Sequence, residues 1–143
     1  MKNSSYIATS VLLFLVSLIL PVYWKYSNFF DHYNEDVSYE LWGGFYLVMG
    51  WMTFFDSPPD FICWLANFTL ILSWILYKKS ISKTFSILTI GLMFMYFLNH
   101  ITDSEIIQFY QPEDILFGYW FWLLSSIFMI IYHFKLKHNK LEE

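Results

Sequence analysis

The chain has 143 residues, of which 57% are hydrophobic and 24% aromatic, whereas Asp, Glu, Lys and Arg together make up 14%, and its formal charge is −4. A soluble domain averages about 25% charged residues, so a water-facing globule of this size is excluded in favour of a chain whose solvent is lipid. An all-α integral membrane bundle is expected, with no nucleic-acid partner.

Four uninterrupted apolar stretches stand out in chain order: Tyr6 to Trp24, Phe61 to Tyr77, Thr84 to His100 and Ile115 to Phe134. At a rise of about 1.5 Å per residue each reaches roughly 25 to 30 Å, about the thickness of the hydrocarbon layer. Backbone amides in hydrocarbon need partners within their own segment, and none of the runs shows the alternation of a barrel strand, so all four are predicted as transmembrane helices. The first has one lysine before it and no small-x-small cleavage pattern after Pro21, which favours a retained anchor over a cleaved signal. Cys63 is the single cysteine, so no internal disulfide is expected.

Leu41 to Phe55 is a fifth apolar run, short and interrupted by Gly43, Gly44 and Gly50. Charge decides its status. With four crossings and an inside N-terminus, Lys2, Lys78, Lys79, Lys83, Lys135, Lys137 and Lys140 are all cytoplasmic and only Lys25 is outside, and the chain has no arginine. A fifth crossing would carry Lys78, Lys79 and Lys83 outward against the positive-inside rule. Residues 41 to 55 are therefore predicted as an interfacial or re-entrant helix on the outer face. Pro58 and Pro59 end that element, Asp60 is placed to cap the helix starting at Phe61, and Pro112, Glu113 and Asp114 mark the entry to the fourth span. The outer segments from Lys25 to Glu40 and from Ile101 to Asp114 are expected as loops, and the short inner link from Ser80 to Lys83 makes spans two and three antiparallel neighbours. No linker separates folding units and no repeat is present, so residues 1–143 form one domain.

Helices in lipid associate through close packing and hydrogen bonds, so small and polar residues mark their inward faces. Ser82, Ser86, Thr89, Met93, Tyr96 and His100 form one helical stripe, Gly118, Trp122, Ser125, Met129 and Tyr132 a second, and Trp64, Asn67, Ile71 and Trp74 a third. Trp24, Trp42, Tyr119, Trp120 and Tyr132 are read as aromatic belt residues, and His133 and His138, beside C-terminal lysines, as headgroup contacts.

Chemistry is confined to few groups. No Asp, Glu or Lys lies deep in a span, which argues against a proton relay. Asn67 is the deepest amide, read first as interhelical glue. Toward the outer surface Asp56, Asp60, Asn67, Asn99, His100 and Asp103 form the candidate site, since His100 and Asp103 are three apart and share a helix face suited to metal ligation or acid/base work. His32 with Asp36 matches the same spacing. No zincin, Cys-x-x-Cys, Walker, nucleophile-elbow or dinucleotide motif is present, so no cofactor or resident metal is expected. Ten outer carboxylates against one lysine make a negative face suited to a basic partner or cation.

The pairs Gly50-Trp51, Trp64-Leu65-Ala66-Asn67 and Gly118-Tyr119-Trp120-Phe121-Trp122 resemble motifs of a loose group of small four-span bacterial inner-membrane proteins, over residues 43 to 125. Those proteins usually place a proline after the asparagine, where this chain has Phe68. The resemblance implies a bacterial inner-membrane setting and carries over no catalytic residue. The expected function is non-enzymatic action through a membrane or extracytoplasmic protein partner, as an accessory subunit, regulator or immunity protein. A homo-oligomeric channel or small transporter lined by Ser86, Thr89, Tyr96 and Asn67 is the alternative, and a membrane enzyme using His100 with Asp103 or Asp56 is the third.

Overall fold

The computed structural model describes residues 4–27, 37–106 and 115–139, and within these the side chains of all but 23–27, 37–40, 56, 99–106 and 136–139. It is predominantly helical and of the all-α class. Helix α1 covers Ser4–Ile19, strands β1 (Pro21–Ser27) and β2 (Val37–Trp42) follow, and then come α2 (Gly43–Met49), a 3-10 turn (Gly50–Met52) and α3 (Thr53–Asp56). Helices α4 (Pro58–Trp64), α5 (Ala66–Ile75), α6 (Ile81–Ile106) and α7 (Phe117–Asn139) complete the chain.

Two helices are long and apolar enough to cross a membrane, over Ile81–Leu98 in α6 and Phe117–Lys135 in α7. The other two predicted spans are shorter than the sequence suggested. Helix α1 stops after 16 residues because Pro21 disfavours helical backbone at the residue before it and has no amide to continue the ladder. The second run begins earlier, at Pro58, whose missing N–H costs nothing at the first helical position, and is divided at Leu65 into helices of 7 and 10 residues. Leu65 itself keeps helical dihedrals, φ −60° and ψ −16°, so the axis is disturbed rather than turned back. Ser57 stands at the N-cap without a side-chain cap bond, and Asp60 lies in the first turn of α4. It therefore faces the helix dipole favourably but does not cap.

The expected outer loop contains a hairpin instead. Strands β1 and β2 pair antiparallel from Ser27 opposite Val37 to Pro21 opposite Trp42, with an irregularity between Pro21 and Tyr23. The hairpin is stitched to the helices by backbone bonds from Gly43 N to Leu20 O, 3.0 Å, and from Leu116 N to Val22 O, 2.9 Å. Both joints depend on missing side chains. A Cβ on Gly43 would meet the Ser17 carbonyl oxygen, and one on Gly118 would lie 2.6 Å from Pro21 O and 2.8 Å from Leu20 O.

Helix α1 packs along α7, α5 along α6, and α6 along α7, while α2 rests on α1 and α4 on α6. One end of the bundle collects lysines over aromatic rings: Lys78 over Tyr77, Lys83 over Phe134 and Lys135 over Tyr6. These pairs put the start of α1, the α5–α6 turn and the last turns of α7 side by side, so the four helical legs alternate in direction.

The distribution of polarity is inverted relative to a water-soluble bundle. Buried positions include Ser10, Ser17, Asn67, Ser73, Ser82, Ser86, Thr89, Ser125 and Ser126. The outward positions carry Leu12, Ile19, Ile75, Ile87, Phe94, Phe117 and Phe134, each more than half exposed. The α6 stripe from Ser82 to Tyr96 and the α7 stripe from Gly118 to Tyr132 are buried as their spacing required. In the broken second leg the face differs, with Cys63, Ala66, Asn67, Leu70 and Ser73 innermost and Ile71 and Trp74 only half-buried.

Candidate functional site

Helix α3 ends at Asp56, α4 carries Asp60, α5 carries Asn67, and the last turns of α6 carry Asn99, His100 and Asp103. The side chains of Asp56, Asn99, His100 and Asp103 lie outside the described residues, as do His32 and Asp36 entirely. Packing of α4 along α6 brings Asp60 and the α6 leg together as helices. Asp60 is half-buried, and its backbone oxygen accepts from the Tyr46 hydroxyl at 3.3 Å. Among the described residues no group of three His, Cys, Asp or Glu side chains gathers as a metal site would require.

Asn67 is 4% exposed and sits just after the Leu65 break. Its Nδ2 donates to Trp64 O at 3.0 Å, three residues back, satisfying a carbonyl at the disturbed turn. The break thus arises here without a proline, Phe68 following Asn67, and the amide side chain is its internal partner. Among the described residues Asn67 Nδ2 donates to no other leg, so where glue between legs was expected the bond lies within its own. Trp64 in turn donates from Nε1 to Leu47 O at 3.0 Å, holding α2 against α4. Gly50 accommodates the Trp64 ring, whose Nε1 and Cγ would lie 2.7 and 2.8 Å from an added Cβ.

Above Asn67 the legs and the outer elements converge. Ser17 and Leu18 of α1, Val22 of β1, Gly43 and Tyr46 of α2, Asn67 of α5 and Trp122 of α7 line one small void of about 10 Å³. The sequence marked Asn67 and Trp122 as inward-facing but not their meeting with Tyr46 and Gly43, because residues 41 to 55 showed no single polar stripe to orient them.

Further toward the lysine end the seam is a set of closed hydrogen-bond networks. Ser10 Oγ donates to Ser125 O at 2.7 Å and Ser125 Oγ donates to Ser10 O at 2.8 Å, while Trp74 Nε1 donates to Ser10 Oγ at 2.9 Å. Thr69 and Thr89 hydroxyls lie 2.8 Å apart between α5 and α6. Ser82 Oγ donates to Ser73 O at 2.7 Å, so it must accept from His133 Nε2 at 2.9 Å, which assigns that proton to Nε2. His133, expected at the headgroups, is half-buried and bonded within the bundle, whereas the His138 side chain lies outside the described residues. Two expected belt residues also turn inward: Tyr119 donates to Met93 O at 2.9 Å and Tyr132 to Tyr77 O at 3.4 Å. Trp42 and Trp120 are exposed, and the Trp24 side chain lies outside the described residues.

No protein-family model matches the chain, and no match is found among curated proteins or solved structures.

Proposed function

We propose that the chain is a small non-enzymatic protein of the bacterial inner membrane that crosses it four times and acts through a protein partner. The observation that carries this reading is the inverted polarity: hydroxyl and amide groups face inward and are mostly bonded within the chain, while large apolar side chains face outward. An apolar surface of that extent in water would be a strong aggregation site.

The two shorter legs fit the same membrane. Helix α1, at 16 residues, reaches about 24 Å. The continuous helical path from Pro58 to Ile75 reaches about 27 Å despite its break. The lysine-rich end, holding Lys78, Lys83 and Lys135, is then cytoplasmic with both termini. The opposite end presents α2 and α3 with Phe45, Val48, Trp51, Phe54 and Phe55 exposed, an interfacial element of the outer leaflet.

Within the bundle Ser86 and Thr89 are fully buried, so they are poorly placed to line a pore between subunits. This favours the partner reading over a homo-oligomeric channel. The test is native mass spectrometry of the tagged protein, mildly extracted from its own host. A stoichiometric second protein supports the proposal. A homo-oligomer alone, with conductance in liposomes, overturns it in favour of the channel, and loss of function in a well-folded His100→Ala variant overturns it in favour of an enzyme.

A further inference from the structure

We infer that the void between α1, β1, α2, α5 and α7 is a binding site for a single hydrogen-bond-accepting oxygen, that of one internal water, held by Trp122, Asn67 and Ser17. The inference stands apart from the partner reading, since it concerns only groups inside this chain.

Trp122 is 5% exposed, and its Nε1 is completely buried without an acceptor among the described residues. An indole N–H can only donate, and a donor buried without a partner is destabilising enough to be rare in folded proteins. The same residue lines the void, together with Asn67 and Ser17. Asn67 uses Nδ2 toward Trp64 O, which leaves Oδ1 as an acceptor. Ser17 donates its hydroxyl proton to Phe14 O at 2.7 Å, which leaves oxygen lone pairs. Three residues that line one space thus carry one donor without a partner and two oxygens able to accept.

Size restricts the occupant. The void measures about 10 Å³, which is about the minimum for one water. A water there accepts from Trp122 Nε1 and gives its two protons to Asn67 Oδ1 and Ser17 Oγ, three bonds, the usual number for an internal water. Its position joins the outer element to the bundle, because Gly43 and Tyr46 of α2 close the same space. A lipid ester carbonyl reaching the space would accept from Trp122 but has no protons for Asn67 and Ser17, and the experiment separates the two sources.

The experiment is NMR of the full chain, labelled with 15N at its indoles, in nanodiscs of protonated phospholipid. The Trp122 Hε1 resonance is assigned by its disappearance in Trp122→Phe, and the six remaining tryptophans of seven report that the fold is kept. The expected result is a cross-peak from Trp122 Hε1 to water, with NOE and ROE of opposite sign as for a water tumbling with the protein. Asn67→Leu is expected to abolish that cross-peak and leave the other indole resonances in place. The wild-type spectrum decides on its own should Asn67→Leu fail to fold. Absence of the water cross-peak overturns the inference, as does a cross-peak to lipid glycerol or acyl protons in its place. Persistence of the water signal in folded Asn67→Leu overturns the role given to Asn67.

Discussion

Gly118→Ala and Gly91→Ala make a matched pair whose effects are expected to have opposite sign. Both place one methyl group on a long apolar helix. At Gly91, in the middle of α6, a Cβ meets nothing within 4 Å, so the substitution keeps only the gain in helix propensity, about 0.8 to 1 kcal/mol. At Gly118 the Cβ would lie 2.6 Å from Pro21 O, 2.8 Å from Leu20 O and 3.0 Å from Pro21 C. These are backbone atoms of the corner between α1 and β1, which the bonds Gly43 N to Leu20 O and Leu116 N to Val22 O hold in place. The methyl cannot be relieved by a rotamer change, so α7 must move away from the corner, and overpacking of this kind costs about 1 to 3 kcal/mol. The expected separation between the two variants is therefore about 2 to 4 kcal/mol. Titration of dodecyl-maltoside-solubilised protein with SDS, followed by circular dichroism and tryptophan emission, measures it. Equal stability of the two variants, or a more stable Gly118→Ala, would refute the close approach of α7 to the hairpin.

Further substitutions test the remaining joints. Ser10→Ala leaves the Trp74 indole and the Ser125 carbonyl without their partner and is expected to destabilise by about 1 to 3 kcal/mol; a Ser10/Ser125 double-mutant cycle should give a coupling above about 0.5 kcal/mol, and strict additivity would remove the reciprocal pair. Trp64→Phe removes the bond to Leu47 O, so amide exchange measured by mass spectrometry should quicken over residues 43–56 while α6 and α7 keep their protection; uniform quickening would show that Trp64 supports the whole bundle instead. For topology, Ser57→Cys and Ser80→Cys are introduced into a Cys63→Ala background, Cys63 being buried and free. An impermeant maleimide added to spheroplasts should label position 57 alone, and labelling at 80 before lysis would reverse the proposed orientation.

The legible parts of the fold were those with one helical period sustained over many residues. In α6 the series Ser82, Ser86, Thr89, Met93 and Tyr96 steps by three and four without interruption, and all of it is buried. The second leg has no such continuity, because the disturbance at Leu65 shifts the inward face between Trp64 and Asn67, and no proline or glycine announces it. The hairpin was hidden for a different reason. Its strands Pro21–Ser27 and Val37–Trp42 are rich in valine and aromatic residues suited to sheet, but apolar runs at either side match helices, and no two-residue turn signal joins them. Tyr119 and Tyr132 illustrate a third limit: a tyrosine near a span end is equally suited to a belt and to a carbonyl partner inside, and only the neighbouring helix decides. Of the candidate outer site, Asp60 and Asn67 are placed, and the amide that promised an interhelical contact closes a bond inside its own leg.

The seam bears directly on how such a protein would recognise anything. Ser10 with Ser125, Thr69 with Thr89, and Ser73 with Ser82 and His133 are pairings between different legs. Each contributes modestly in lipid, about 0.6 kcal/mol on average, but each also fixes the rotation of one leg against another, since a slipped leg leaves hydroxyls in hydrocarbon without partners. Their polar groups are thereby engaged inside the bundle. The described surface that remains consists of apolar side chains along the legs, the exposed Lys78, Lys79, Lys83 and Lys135 at one end, and the exposed aromatic and aliphatic side chains of α2, the 3-10 turn and α3 at the other. On the proposed four-span reading, recognition through the legs rests on shape, as between any two helices in lipid. On the proposed reading, recognition at the α2–α3 end has shape and chemistry together, because Asp60 lies in the first turn of the helix that follows α3. The end bearing α2 and α3 is therefore where partner specificity is proposed to reside.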